Sequence, residues 1–276
     1  MVKVNGLYYD GFVEKIVDNI LIKRFKHNYD NLIIINGGEG TGKSSFAIGL
    51  CALYAHKLGI DFSVDNITFS GKEMVSLAAS KKKSIILYDE AIQGLMGAQW
   101  QNKTQQTIIQ ALMMARKNNN LFVLCVPAFE RLNPYLVYDR AILLIDVYTK
   151  GYKRGFASIY NKKKIRQYYD MKKAKKNRKP KPVFQVRFLD HSKTVIDKPA
   201  YEDKKDQAIM LLNDSLDTQR DSPVEKHFYR LLLHEKYDTK LLATILNTGD
   251  RNAREWKRKA KLWLERTELE KNPVNT

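Results

Sequence analysis

The chain has 276 residues, of which 48 are Lys or Arg and 30 are Asp or Glu, giving a formal net charge of +18 at 44% hydrophobic content. That apolar share is ample for a core and the length suggests about two domains. No apolar run approaches the roughly 18 residues of a membrane span, so a transmembrane helix is excluded. The positive excess points to a polyanion or an anionic membrane surface as partner. Met1 to Gly6 lacks a secretory apolar region, so the chain reads as soluble and cytoplasmic, in a host's cytoplasm if it is viral. Cys51 and Cys125 have neither a second Cys nor a His at ligand spacing and read as reduced core residues.

In chain order, residues 1 to about 30 read as a lead-in with a short helix around Ile16 and Ile20, to which no chemistry is assigned. Asn31 to Asn36 is a buried strand. It runs directly into Gly37-Gly38-Glu39-Gly40-Thr41-Gly42-Lys43-Ser44, and Ser45 opens an apolar helix. The spacing is that of the phosphate loop, G-x-x-x-x-G-K-[ST], in the strand-to-helix context the pattern requires. Glycines let successive backbone N–H groups turn toward phosphate oxygens, and the helix start adds its positive dipole end. Residues 37 to 45 are therefore the candidate ATP-binding set. Lys43 is assigned to the β- and γ-phosphates, and Ser44 to Mg2+.

A short strand is expected at Asp65 to Ser70 and a helix at Glu73 to Ala79. The apolar run Ser84 to Tyr88 then ends in Asp89-Glu90. Such a strand ends at the mouth of a nucleotide site, with Asp89 in the Mg2+ shell through water and Glu90 polarising the attacking water. Adjacent strand residues point to opposite faces, so this division of work requires the chain to be turning out of the sheet. Gly94 to Trp100 reads as a loop, Lys103 to Lys117 as a helix, and Leu121 to Pro127 and Ala141 to Tyr148 as further buried strands. Phe156 to Tyr160 pairs with the last of these as a hairpin. The alternation predicts an α/β fold with a parallel central sheet flanked by helices.

The order of phosphate loop, Asp-Glu strand, long helix closing on Ala115-Arg116-Lys117 and apolar strand ending at Pro127 resembles the HerA/FtsK-type pumping ATPases. Within them it is most similar to the short ATPases of viruses and mobile elements related to the zonular occludens toxin ATPase domain. The likeness covers residues 31 to 160. It implies a homo-oligomeric ring that moves DNA, with ATP between neighbours and a capsid or replication partner. The family's usual Gln sensor is replaced here by Leu124-Cys125-Val126-Pro127-Ala128. A neighbour's arginine could stabilise the transferring phosphoryl group. Arg116, Arg131 and Arg140 are the candidates, expected together on the far side of the strand ends, with Arg140 preferred.

Asn161 to Pro182 is half Lys and Arg and reads as an extended basic linker or a mobile hairpin outside the core that attracts phosphates, with Tyr168 and Tyr169 able to stack on bases. Val183 to Leu189 reads as an edge strand, Glu202 to Ser222 as a polar helix or linker, and Pro223 opens a helix. The domains expected are thus a lead-in to residue 30, a core over 31–160, a basic linker over 161–222 and a small basic helical domain over 223–276. In the last, Ala243, Leu246, Ala253 and Trp256 fall where a helix-turn-helix packs, with Asp250 as helix cap. Arg251, Asn252, Arg254, Lys257 and Arg258 are placed to meet DNA, and a helical hairpin for subunit packing is the alternative. For the whole chain a DNA-translocating or packaging ATPase stands beside two other readings. One is an AAA+-like replication initiator or helicase loader, to which Leu132 to Leu136 with Arg140 is similar. The other is a regulator using nucleotide as a switch.

Overall fold

A computed structural model of the chain describes residues 2–89, 103–175, 178–219, 228, 232–233, 238–245 and 249–271, with backbone alone at 103–105, 212–219, 245 and 262–271. The chain divides into two compact units, Met1–Ala208 and Ile209–Thr276.

The first unit is built on a seven-stranded sheet. Its spatial order is β4 (Ile67–Thr68), β5 (Ile85–Tyr88), β6 (Leu121–Val126), β3 (Asn31–Asn36), β7 (Leu143–Lys150), β8 (Lys153–Asn161) and β9 (Phe184–Arg187). A hairpin of β1 (Val2–Val4) and β2 (Leu7–Tyr9) forms a separate two-stranded sheet. The first five strands in that order are parallel, and β8 and β9 are antiparallel additions. Helices cover both faces, which is why β3 and β6 are buried along their full length and read as unbroken apolar runs. Side chains alternate between two cores. Ile33, Ile35, Leu87 and Cys125 pack with the helix Lys43–Leu58, while Leu32, Ile34 and Leu124 pack with Ile108, Leu112 and Phe129 on the other face.

In a parallel sheet every strand's C-terminal end lies on one edge. The loop after β3 and the residue after β5 therefore meet on that edge, with β6 interposed between them.

The basic stretch after β8 is not an extended linker. Lys162–Lys173 is a helix, capped by Asn161, whose side chain accepts from the Lys164 amide at 3.2 Å. Ile165, Tyr168 and Tyr169 sit three and four residues apart and are buried against Phe129 and Tyr160. Burying a side chain the size of Ile165 contributes about 1.5–3 kcal/mol. The lysines that suggested an extended chain are spread along the helix's solvent side, where salt screens their repulsion. The two tyrosines consequently belong to the core and present no face for base stacking. The compact unit runs on through β9, the edge strand expected at 183–189, to Ala208.

The second unit holds the helices Thr239–Ile245 and Asp250–Lys271 around a small core of Leu232, Leu242, Ala243, Ala253 and Ala260, with Phe228, Leu233 and Trp256 at its margin. Ala243 and Ala253 share this core with Trp256 packed against it, while Leu246 and most of the helix expected from Pro223 lie outside the described residues. Asp250 is the first helical residue, not the cap. The amides of Asn252 and Ala253 bond to the Gly249 carbonyl at 2.9 and 3.2 Å, which puts Gly249 at the cap position. Among the described residues no helix is long and apolar enough to cross a membrane.

Candidate functional site

The last residue of β3 is held at both ends of its side chain. Asn36 Nδ2 donates to Asp146 Oδ1 of β7 at 2.7 Å, and Asn36 Oδ1 accepts from the Phe129 amide at 3.0 Å. The chain then turns through Gly37 to Gly42 into the helix Lys43–Leu58. Gly40 and Gly42 have φ of 68° and 100°, conformations that favour glycine. Thr41 Oγ1 and Lys43 Nζ both donate to the Gly38 carbonyl, at 2.9 and 2.8 Å, so the loop curls around one of its own oxygens. Gly38, Glu39 and Gly40 are exposed at its tip.

Gly37 is required for a different reason. A Cβ added there would lie 2.4 Å from the Val147 carbonyl oxygen and 2.8 Å from Thr41 Oγ1. Gly37→Ala is expected to push the loop off β7, costing about 1–3 kcal/mol of stability and the affinity for nucleotide together. Thermal unfolding beside a nucleotide titration checks this.

Asp89 follows β5 on the same sheet edge and is 1% exposed, its amide bonded to the Thr68 carbonyl at 2.9 Å. The period-two alternation of β5 turns Asp89 to the face of Leu87, the face covered by the loop's own helix. Its Oδ2 accepts a 2.6 Å hydrogen bond from the Tyr201 hydroxyl, whose ionisation the nearby Ser44 side chain eases. One phenol thus occupies the strand-end carboxylate in the neighbourhood of the loop's hydroxyl. The Cys125 thiol of β6 lies in the field of Asp89 too. Burial, then the Asp89 charge, push that thiol well above its usual range, while Lys43 pulls the other way, so it stays protonated. Burial and then Asp89 likewise raise the Tyr201 phenol. Ser45 is engaged by Asp190. Burial raises that carboxyl, but hydrogen bonds from Ser192 and Ser45 outweigh it and hold Asp190 below its usual range. Glu90 lies outside the described residues. Tyr8 and Tyr9 of the lead-in line a small cleft with Ser45, Phe46, Phe188 and His191.

The three arginines expected together are on opposite edges of the sheet. Arg131 follows β6 and is exposed on the loop's edge, whereas Arg116 precedes β6 and Arg140 precedes β7, which puts both on the far edge. Arg140 is buried there. It pairs with Asp30 through Nη1 and Nη2 and donates Nη2 to the Leu112 carbonyl at 3.1 Å. Asp30 immediately precedes β3 and the loop follows it, so the six residues of the strand set Arg140 roughly 20 Å from the phosphate loop. A different arginine stands near the loop. Arg154, exposed at the start of β8, has Nη2 3.7 Å from where a Cβ on Gly40 would be. Neither Arg154 nor Tyr201 has a motif around it, since both reach the site through pairing across the fold.

In the second unit Arg251, Asn252, Arg254 and Arg258 are exposed and Lys257 is half-buried in the first turns of Asp250–Lys271. Arg251, Arg254 and Arg258, three and four apart, share one helix face.

Ser44 and Asp89 are hard oxygen donors of the kind Mg2+ takes, and such sites are completed by phosphate oxygens and water. Among the described residues no group of three or more His, Cys, Asp or Glu could hold a metal without such help. The glycine cradle and its helix start suit a polyphosphate. These residues fit a magnesium nucleotide.

No protein-family model matches the chain, and no curated protein matches it. Among solved structures it is similar to the genome packaging NTPase B204 of Sulfolobus turreted icosahedral virus 2 in complex with AMPPCP. That match has 18% identity and TM-score 0.36, covering 49% of this chain and 93% of that one. The DNA-packaging ATPase B204 of Sulfolobus turreted icosahedral virus is similar at 16% identity and TM-score 0.37, covering 49% and 94%. A chain of the E. coli MS115-1 HORMA:CdnC:Trip13 complex is similar at 15% identity and TM-score 0.34, covering 49% and 59%. The likeness spans about half of this chain at low identity, and the reading of the site rests on the geometry of its own residues.

Proposed function

We propose that this chain is an ATP-hydrolysing DNA motor that translocates or packages DNA for a virus or mobile element, working as a ring of identical subunits. The observation that carries the nucleotide reading is the glycine turn from Asn36 into the helix Lys43–Leu58, with Asp89 buried on the same sheet edge and turned to that helix's face. In this reading the amides of residues 37–45 and the Lys43 ammonium receive the triphosphate, and Ser44 and, through water, Asp89 hold Mg2+. A bound magnesium ion supplies positive charge against the β- and γ-phosphate oxygens. Glu90 is assigned to polarising the attacking water. Arg154, beside the loop tip, takes the charge-stabilising place first assigned to Arg140.

The DNA reading rests on the net charge of +18 and on where the cations sit. Lys162, Lys163 and Arg166 are exposed on the helix Lys162–Lys173, and Arg251, Arg254 and Arg258 share a face in the second unit. Such surfaces bind phosphates without regard to sequence and weaken as counterions compete.

ATP turnover measured with and without DNA over a salt series tests both parts. We expect stimulation by DNA that fades steeply with salt, because six to ten phosphate contacts lose about 10³–10⁵ in affinity between roughly 50 and 200 mM. Turnover indifferent to single- and double-stranded DNA at every salt would remove the DNA part, and absence of turnover would remove the motor. A footprint confined to one DNA sequence, without translocation, would select the initiator reading instead.

A further inference from the structure

Tyr201 lies in the first turn of the helix Lys198–Gln219, 112 residues from Asp89, and is 7% exposed. It is firmly seated. Its ring packs edge-on to Phe69 with centroids 5.4 Å apart, and its amide bonds to the Asp197 carbonyl at 3.0 Å. One turn on, Lys204 Nζ reaches the Ile67 carbonyl at 2.6 Å and Glu73 Oε1 at 2.7 Å, tying the same helix to β4 and the helix Gly71–Ser80. The hydroxyl is therefore delivered to the site by an anchored element.

The Tyr201 hydroxyl donates to Asp89 Oδ2 at 2.6 Å and therefore occupies that carboxylate oxygen, with Ser44 close enough to act on the same phenol. Mg2+ demands ligands at about 2.0–2.1 Å in near-octahedral array, with several waters retained. A metal-bound water reaching Asp89 Oδ2 would need the place that the phenol hydroxyl takes. We propose that Tyr201 is a latch on the nucleotide site: its hydroxyl holds the place on Asp89 that a magnesium-bound water would take, and it must leave for the metal-bound nucleotide to be received. This rests on the nucleotide reading given above. The exchange needs no proton transfer, since the phenol leaves as it stands, neutral, and the Asp89 carboxylate passes from an O–H donor to a metal-bound water. A phenol that merely oriented Asp89 for the metal would stay in place, and removing its hydroxyl would weaken metal binding.

Mn2+ binding, read by electron paramagnetic resonance in the presence of a non-hydrolysable ATP analogue, separates these cases in the full chain. Tyr201→Phe keeps the ring on Phe69 and removes the competing hydroxyl. It is expected to bind Mn2+ about tenfold tighter than the native chain or more, the worth of one hydrogen bond to a charged group. Equal or weaker Mn2+ affinity, with the analogue bound by both proteins, would overturn the latch and leave the nucleotide reading standing. Analogue bound by neither protein would overturn both. Hydrogen exchange of the native chain gives a reading that does not depend on the variant folding. Amides of residues 198–208 should exchange faster once Mn2+ and the analogue are added, and unchanged protection there would overturn the latch.

Discussion

Lys43→Ala is expected to lower ATP turnover by about 10²–10³-fold, the cost of removing one preorganised charged donor from a developing phosphoryl charge, and to weaken triphosphate binding as well. The fold should survive the change. Lys43 sits partly exposed at the start of its helix, and among the described residues its ammonium hydrogen-bonds only the Gly38 carbonyl, at 2.8 Å, so the described core loses no contact when it goes. Phosphate release and a nucleotide titration, with thermal unfolding as control, measure the three quantities separately. A variant that unfolds at the native temperature but turns over at the native rate would show that the loop does not hold the reacting phosphate.

Arg140→Ala should behave in the opposite way, with a loss of about 3–5 kcal/mol in stability because the Asp30 carboxylate is left buried without its partner. At roughly 2–4 °C per kcal/mol for a unit of this size, the melting temperature should fall by about 10 °C. Side-chain exposures of 5% for Arg140 and 10% for Asp30 leave water little access to replace the lost pairing. Arg140→Lys should restore only part of the loss, since an ammonium cannot reproduce the two-pronged contact with Asp30 or reach the Leu112 carbonyl as well. An arginine acting on a neighbour's phosphate would give the reverse pattern, with turnover abolished and melting unchanged. Differential scanning calorimetry and the turnover rate at a temperature where both proteins are folded decide between the two.

Much of the site was legible because it is local. The strand, turn and helix around residues 31–58 follow from one contiguous pattern, and Asp89 from an apolar run closing on a carboxylate. The expectation that the three arginines lie together did not hold, for a reason that the sequence contained. Residues that precede a strand of a parallel sheet lie on the edge away from those that follow one, and Arg116 and Arg140 precede theirs while the loop follows β3. The basic helix was misread because charge density was weighed above the spacing of Ile165, Tyr168 and Tyr169, three side chains that suffice to fix it to the sheet. Tyr201 and Arg154 had no signal of either kind. Each is brought to the loop by long-range pairing, the first through the clamp on β4 and the second through the β7–β8 hairpin, and no local pattern encodes such a meeting.

The interposed strand has a mechanical consequence. β6 pairs with β3 over six residues and with β5 over four, so the loop strand and the acid strand are held two ladder spacings apart, about 9.5 Å, by hydrogen bonds that do not stretch. Any fitting to the length of a polyphosphate must therefore fall to the glycine turn and to rotamers at the rim, because the floor beneath them has a fixed gauge.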